Sequence, residues 1–310
     1  MNVKQIEYIL AVAELHSFGQ AAEKCSVTQS TLSTMVAKFE DEIGFSIFDR
    51  KTKPISITKE GAVIIEKLTY ISSEFDQLTE LVKSLKGELK GELTIGVIPT
   101  ISPYLIPEFI NDFTQQFPDI QCVIREMRTH VIMDKLLNRQ LDVGILALPL
   151  RHEMLEEMPI YNESFVMYDC TKEGLNETIE PADINDDKFW LLEDGHCMQT
   201  QVKYICDISK SVSGVDRYDY KAGTIDSLIR MVRINEGMTL LPYLATLDLP
   251  NKERGKIKKF RGQVPARTVG LVVHKHFVKG HLAQKMAKEI SKKILPLLDM
   301  QKDIQVIDPI

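Results

Sequence analysis

Two cysteines within one short segment are the residues best placed to do chemistry in this chain. Cys197 and Cys206 lie nine positions apart, and His196 precedes the first of them. The run Phe189 to Leu192 is hydrophobic and strand-like, and it leads into Asp194 and Gly195, a turn pair. His196 and Cys197 therefore fall where a helix is expected to begin. The positive end of a helix dipole lowers a thiol pKa, and so does a protonated imidazole beside it. If Met198 to Ile205 is helical, the two thiols are separated by about 13.5 Å of helix, at a rise of 1.5 Å per residue. A disulfide needs Cα atoms within about 7 Å of each other. The pair can bond only if its own segment unwinds, which is the design of a switch.

Other readings of the same residues stand beside this one. Most cysteines in intracellular chains are small buried hydrophobes. Zinc is the poorest fit, because a structural site takes four ligands and only His196 joins the thiols locally. The remaining cysteines, Cys25, Cys122 and Cys170, read as packing residues.

Composition narrows the setting. The chain has 310 residues, enough for two or three modules, and is 44% hydrophobic and 26% charged. Its first residues lack the apolar core of a signal peptide, and no run reaches the roughly 18 apolar residues of a membrane span. A cytoplasmic location, no membrane partner, no cofactor and no metal are expected. Five cysteines are an odd number, which argues against a disulfide scaffold. The net charge of -6 gives no global support for nucleic-acid binding, so any such signal must be local.

A local signal is present at residues 1–58. Ile6, Ile9, Leu10, Ala13 and Leu15 mark an amphipathic first helix. Ser17 is a plausible cap for a second helix, Phe18 to Lys24, and Thr28 for a third. Leu32, Met35, Val36 and Phe39 form the apolar face of the third helix. Its other face carries Gln29, Ser30, Thr31, Ser33, Thr34 and Lys38, small polar groups suited to base edges and phosphates in a major groove. Arg50, Lys51 and Lys53 follow as a basic wing. Residues 1 to 60 hold seven Lys/Arg and eight Asp/Glu, so binding must rely on where the charges sit.

The stretch from Ala21 to Ser33 and that from Phe39 to Arg50 resemble the N-terminal domain of LysR-type transcriptional regulators, nearly without gaps. The resemblance implies a winged helix-turn-helix docked in the major groove, with contacts from Phe18, Thr28, Gln29, Ser30, Thr31, Ser33, Thr34, Lys38, Arg50 and Lys53. Ser30 stands where the family often has proline and Thr34 where arginine is frequent, so the operator sequence does not carry over.

Residues 59–87 form a long helical pattern. Ile64, Leu68, Ile71, Phe75, Leu78, Val82 and Leu85 are spaced 4-3-4-3-4-3, a heptad seam that asks for a second copy of the chain. Two recognition helices in one dimer imply an inverted-repeat operator. Residues 88–91, between Gly87 and Gly91, read as a hinge. From Leu93 onward the order strand, helix, strand, helix, strand implies a parallel sheet with ligand groups at strand ends, and Thr100 and Thr129 occupy such ends. Both also read as helix caps. The expected fold is α + α/β: winged helix-turn-helix, linker helix, and a two-lobed, periplasmic-binding-protein-like (Rossmann-like) regulatory domain. Lobe I covers 92–161 with 266–300, lobe II covers 162–265 with the two cysteines, and 301–310 form a C-terminal tail.

Three stretches together are similar to the OxyR peroxide sensors of the same family: Ile95 to Pro107, Leu191 to Cys197 with Cys206, and Gly237 to Pro242. The resemblance implies that Cys197 is oxidised by hydrogen peroxide to a sulfenic acid and that Cys206 then closes a disulfide. It places Thr100, Thr129, His196 and Arg267 around the peroxide. Antioxidant genes, a homotetramer, RNA polymerase and a glutaredoxin- or thioredoxin-like reductant are implied in the same way. Gln199 departs from the pattern, since the best-known members carry a basic residue there. Two further readings remain: a LysR-type regulator sensing a small metabolite between its lobes, and a thiol peroxidase. The last leaves the helix-turn-helix and the seam without purpose, so a non-enzymatic role is expected.

Overall fold

The structure is a computed structural model and describes residues 1–85, 90–171, 178–180, 184, 188–206, 220–299 and 303–309. The chain divides into two compact units, the first built from residues 1–86 and 138–140 and the second from 87–137 and 141–310.

In the first unit, helix α1 (Val3–Leu15) starts at Asn2, whose side chain accepts the Gln5 amide while the Gln5 side chain accepts the Asn2 amide. That reciprocal capping satisfies two donors with no partner inside the helix. Helix α2 (Phe18–Lys24) is capped by Ser17 and helix α3 (Gln29–Ile43) by Thr28. A two-stranded wing, β1 (Phe48–Asp49) with β2 (Ser56–Ile57), is tied back to α3 by Glu40, which accepts the amides of Ile47 and Phe48. Helix α4 (Lys59–Leu85) begins so close to this corner that a Cβ on Gly61 would stand 2.2 Å from the Ile47 carbonyl oxygen.

Phe18 is buried against Phe48, edge to face, with the Arg50 guanidinium 4.9 Å from its ring centre. The seam of α4 is divided. Leu68 is buried and Ile64 half-buried in the unit's own core, whereas Ile71, Phe75, Leu78 and Val82 are 40, 45, 57 and 44% exposed. The Leu85 side chain and residues 88–89 of the expected hinge lie outside the described residues; Gly91 opens the next strand with φ 108°.

The second unit opens with β3 (Gly91–Val97), α5 (Ser102–Gln116), β4 (Ile120–Glu126), α6 (Thr129–Leu137) and β5 (Val143–Leu148). The three strands pair in parallel, in the order β4-β3-β5, as the alternation of strand and helix predicts. Every residue of β5 is buried, which fits a strand covered on both faces. Two long strands then cross the unit. Strand β6 (Leu155–Asp169) carries Leu155 and Tyr161 into one hydrophobic core and Phe165 to Tyr168 into a second. Strand β10 (Val264–His274) returns antiparallel to it and to β5.

Around the second core lie the short β7 (Thr178–Ile179), helix α7 (Cys197–Cys206), helix α8 (Ile225–Ile234), β8 (Met238–Pro242), the short α9 (Asn251–Arg254) and β9 (Ile257–Phe260). Helix α10 (Gly280–Ile294) buries Leu282, Met286 and Ile290 in the first core. Residues 303–309 include β11 (Ile304–Val306), which pairs in parallel with the start of β10. The expected strand at Phe189 to Leu192 is reduced to single bridges, Phe189 with Met238 and Leu192 with Ala222.

Candidate functional site

Both cysteines are helical, one at each end of α7, both are buried, and neither is in a disulfide. Nine helical steps separate them by about 13.5 Å. Cys197 packs into the first core and Cys206 into the second, together with Met198 and Val202. Each end of the helix is thus anchored in a different body of apolar side chains.

The Cys197 sulfur faces the first core. The Thr129 hydroxyl, at the first turn of α6, donates to it, and the backbone amides of Cys197 and Met198 point toward it. Burial raises the Cys197 thiol above its ordinary range; the Arg267 charge, Thr129 and the two amides oppose this without cancelling it. The imidazole does not supply the lowering expected of it. Burial and the nearby Arg128 charge push the His196 pKa down, so the ring stays neutral and donates to the Gly223 carbonyl. The cation that acts on the thiol is Arg267.

Arg267 is 1% exposed. It stands directly opposite Glu163 in the pairing of β10 with β6. Its Nε and Nη2 donate to Glu163 Oε2 at 2.9 and 2.8 Å, its Nη1 to Thr100 Oγ1 at 3.0 Å, and Nη2 also to the Thr100 carbonyl at 2.9 Å. Glu163 Oε1 accepts the Leu244 amide at 2.9 Å. The guanidinium is held by a carboxylate and a strand end, as a buried charge must be. Neither threonine acts as a helix cap: α5 starts after Thr100 without a side-chain cap, and Thr129 is already inside α6. Their hydroxyls serve Arg267 and Cys197 instead.

The rest of α7 is fixed by polar bonds. Gln199 is buried and donates to Asp194 Oδ1 at 2.9 Å, and Lys221 holds the other Asp194 oxygen at 2.5 Å. Gln201, fully buried, donates to the Ile307 carbonyl at 2.7 Å, while the Ile307 amide bonds the Ala266 carbonyl. The C-terminal segment is thereby sandwiched between α7 and the strand that bears Arg267. Burial pushes the thiols of Cys25, Cys122 and Cys170 up, and none of them joins this site.

On the helix-turn-helix, Gln29, Ser30, Thr31, Thr34 and Lys38 are exposed on α3, and Lys53 on the wing. Thr28 is committed to capping, bonding the Thr31 amide at 3.2 Å. Arg50 donates to Ser33 at 3.2 Å and to Glu40 at 2.8 Å, so both it and Ser33 have partners within the unit. Sequence reasoning missed Glu163, Arg128 and the bond from Gln201 to Ile307. Each depends on a strand register or a chain crossing that carries no local pattern.

Comparison with known proteins decides the family. Residues 3–62 match the bacterial regulatory helix-turn-helix protein of the lysR family, and residues 86–293 match the LysR substrate binding domain. The chain belongs to the LysR family of transcriptional regulators. The DNA-binding transcriptional dual regulator OxyR of Escherichia coli K12 is 32% identical over 277 residues, 88% of this chain and 89% of that protein. A hydrogen peroxide-inducible genes activator of Haemophilus influenzae is 28% identical over 301 residues, 96% of this chain and 99% of that one. Among solved structures, full-length OxyR from Pseudomonas aeruginosa aligns with a TM-score of 0.74 at 29% identity, over 94% of this chain and 98% of that chain. The regulatory domain is therefore described as a LysR substrate-binding domain; nothing in these matches supports the periplasmic-binding-protein wording expected of it. No helix among the described residues of this LysR-family chain is long and apolar enough to cross a membrane.

Proposed function

We propose that this LysR-family regulator senses hydrogen peroxide and activates antioxidant genes through Cys197 and Cys206. The reading rests above all on one observation: the two thiols pin opposite ends of one helix into two different cores. The relatives named for peroxide induction and OxyR support it. In the first step the Cys197 thiolate attacks one oxygen of the peroxide. The O–O bond breaks, the sulfur becomes a sulfenic acid, and the departing hydroxide takes up a proton as water. Thr100, Thr129, His196 and Arg267 form the pocket for this step. In the second step the Cys206 sulfur attacks the sulfenic sulfur, the S–S bond forms, the S–O bond breaks and a second water leaves.

The second step cannot occur on an intact α7, so the helix must unwind and Cys206 must leave its core. That loss is the signal. It also frees Gln201 from Ile307 and so disturbs β11 and the strand beside it. The change is passed to a homotetramer, each dimer of which forms through the exposed part of α4. Each dimer presents two α3 helices to double-stranded DNA with an inverted-repeat operator, where RNA polymerase is engaged. A glutaredoxin- or thioredoxin-like dithiol in the cytoplasm resets the switch by thiol–disulfide exchange. Because the oxidised form gives up native packing, its potential lies above the value of about −300 mV typical of inert structural bonds.

The test is operator footprinting of reduced and peroxide-treated protein. The footprint should change in the wild type and stay constant in Cys197→Ser. An unchanged wild-type footprint sinks the switch, and a metabolite-sensing role would then be pursued by thermal-shift screening.

A further inference from the structure

The turn that feeds α7 is held from lobe I by an ion pair that the chemistry above does not use. Arg128 ends the connection from β4 to α6, and its carbonyl accepts the Ile132 amide that opens that helix, at 3.1 Å. Its Nη2 donates to Glu193 Oε1. The guanidinium also lies over Gly195, where a Cβ would stand 2.9 Å from Nη1. Gly195 takes φ 94°, a conformation that glycine adopts without steric cost. The same Glu193 oxygen is 3.8 Å from His196 Nε2, and the Glu193 amide donates to the Ala222 carbonyl at 2.9 Å. The residue after Arg128 is Thr129, whose hydroxyl reaches the Cys197 sulfur. Two consecutive residues of lobe I therefore grip the start of α7, one at the sulfur and one at the turn before it.

We propose that Arg128 and Glu193 are positioning residues, whose ion pair across the two lobes keeps the Cys197 sulfur beside Thr129 during its attack on peroxide. This rests on the peroxide reading above and concerns its first step only. The pair links the turn from Glu193 to His196 to the residue that precedes Thr129, so it sets how closely the helix start approaches the pocket. Small displacements of a nucleophile cost rate steeply. The pair is also 41% and 38% exposed, so dissolved salt weakens it.

The experiment uses the full chain with Cys206→Ser, so that oxidation stops at the sulfenic acid. The probe is hydrogen peroxide, followed by stopped-flow fluorescence of Trp190, with trapping of the sulfenic acid by dimedone. Arg128→Gln and Glu193→Gln should each lower the second-order rate constant about tenfold. The exchanged pair, Arg128→Glu with Glu193→Arg, should recover most of it. Added salt should slow the parent more than Arg128→Gln. A residue that only stabilises the fold would lower Tm without rescue by exchange. If the parent reacts and the single variants match it, or the exchanged pair recovers nothing, the positioning role is overturned and the peroxide reading stands. A parent that does not react overturns both.

Discussion

Cys197 and Cys206 terminate the same ten-residue helix, yet each is buried in a different hydrophobic core. Joining them must therefore cost packing in at least one core, and the polar bonds of α7 set how much.

Gln201 is the tie between α7 and the C-terminal segment. Gln201→Leu keeps the side-chain bulk but leaves the Ile307 carbonyl buried without its donor. The reduced protein should lose about 1–3 kcal/mol of stability in urea titration. Disulfide formation after peroxide should become faster, because one bond opposing helix unwinding is gone.

Arg267 and Glu163 are a buried pair, each 1% exposed. Arg267→Met strands the carboxylate and should cost about 3–5 kcal/mol, seen as a lower midpoint in denaturant. It also removes the cation that opposes burial at Cys197. The wild-type thiol, raised by burial, holds its proton at neutral pH, so the rate with peroxide should climb as pH rises. In Arg267→Met that climb should move to still higher pH.

His196 has a pKa below its ordinary value of 6.5, with burial the main cause. In the unfolded chain the ring takes a proton as pH falls through about 6.5, while the folded ring does not. The unfolded state then binds more protons, so this residue's contribution favours folding less as pH drops from 6.5 toward its folded pKa. Tm should fall over that window by more in the wild type than in His196→Asn, as calorimetry at matched ionic strength can read.

Phe18 and Gln29 separate structure from recognition in the helix-turn-helix. Phe18→Ala removes a buried ring and should cost about 3–5 kcal/mol of stability. Gln29→Ala lies on the exposed face of α3 and should leave Tm unchanged while weakening operator binding by about 1–3 kcal/mol. Fluorescence anisotropy at fixed salt distinguishes the two. Loss of operator binding in neither variant would remove Gln29 from the interface.

Phe75 and Leu78 are exposed on the free part of the α4 seam. Phe75→Glu combined with Leu78→Glu places charges where a second copy must pack. Sedimentation should show a smaller assembly, with operator affinity reduced because two half-sites are no longer bound together.

The elements themselves were legible in the chain. Helix caps at Ser17 and Thr28 are legible in the chain, because a capping hydroxyl and the apolar spacing after it are local signals. The parallel β4-β3-β5 sheet followed from alternating strands and helices, and the seam of α4 from its spacing. The spacing could not reveal that Leu68 is consumed by the unit's own core while Phe75 is left exposed.

The helical separation of Cys197 from Cys206 was determined by sequence alone, since nine residues of helix have a set length whatever surrounds them. Tertiary structure decided the electrostatics. Spacing suggested an imidazole acting on the thiol, but burial keeps His196 neutral, and the acting charge arrives from Arg267, seventy positions away in the chain. That pairing depends on the register that sets Arg267 against Glu163, and on the fold that brings Thr100 and Thr129 to the same place. Long-range register and desolvation are properties of the packed molecule, and no local pattern of residues encodes them.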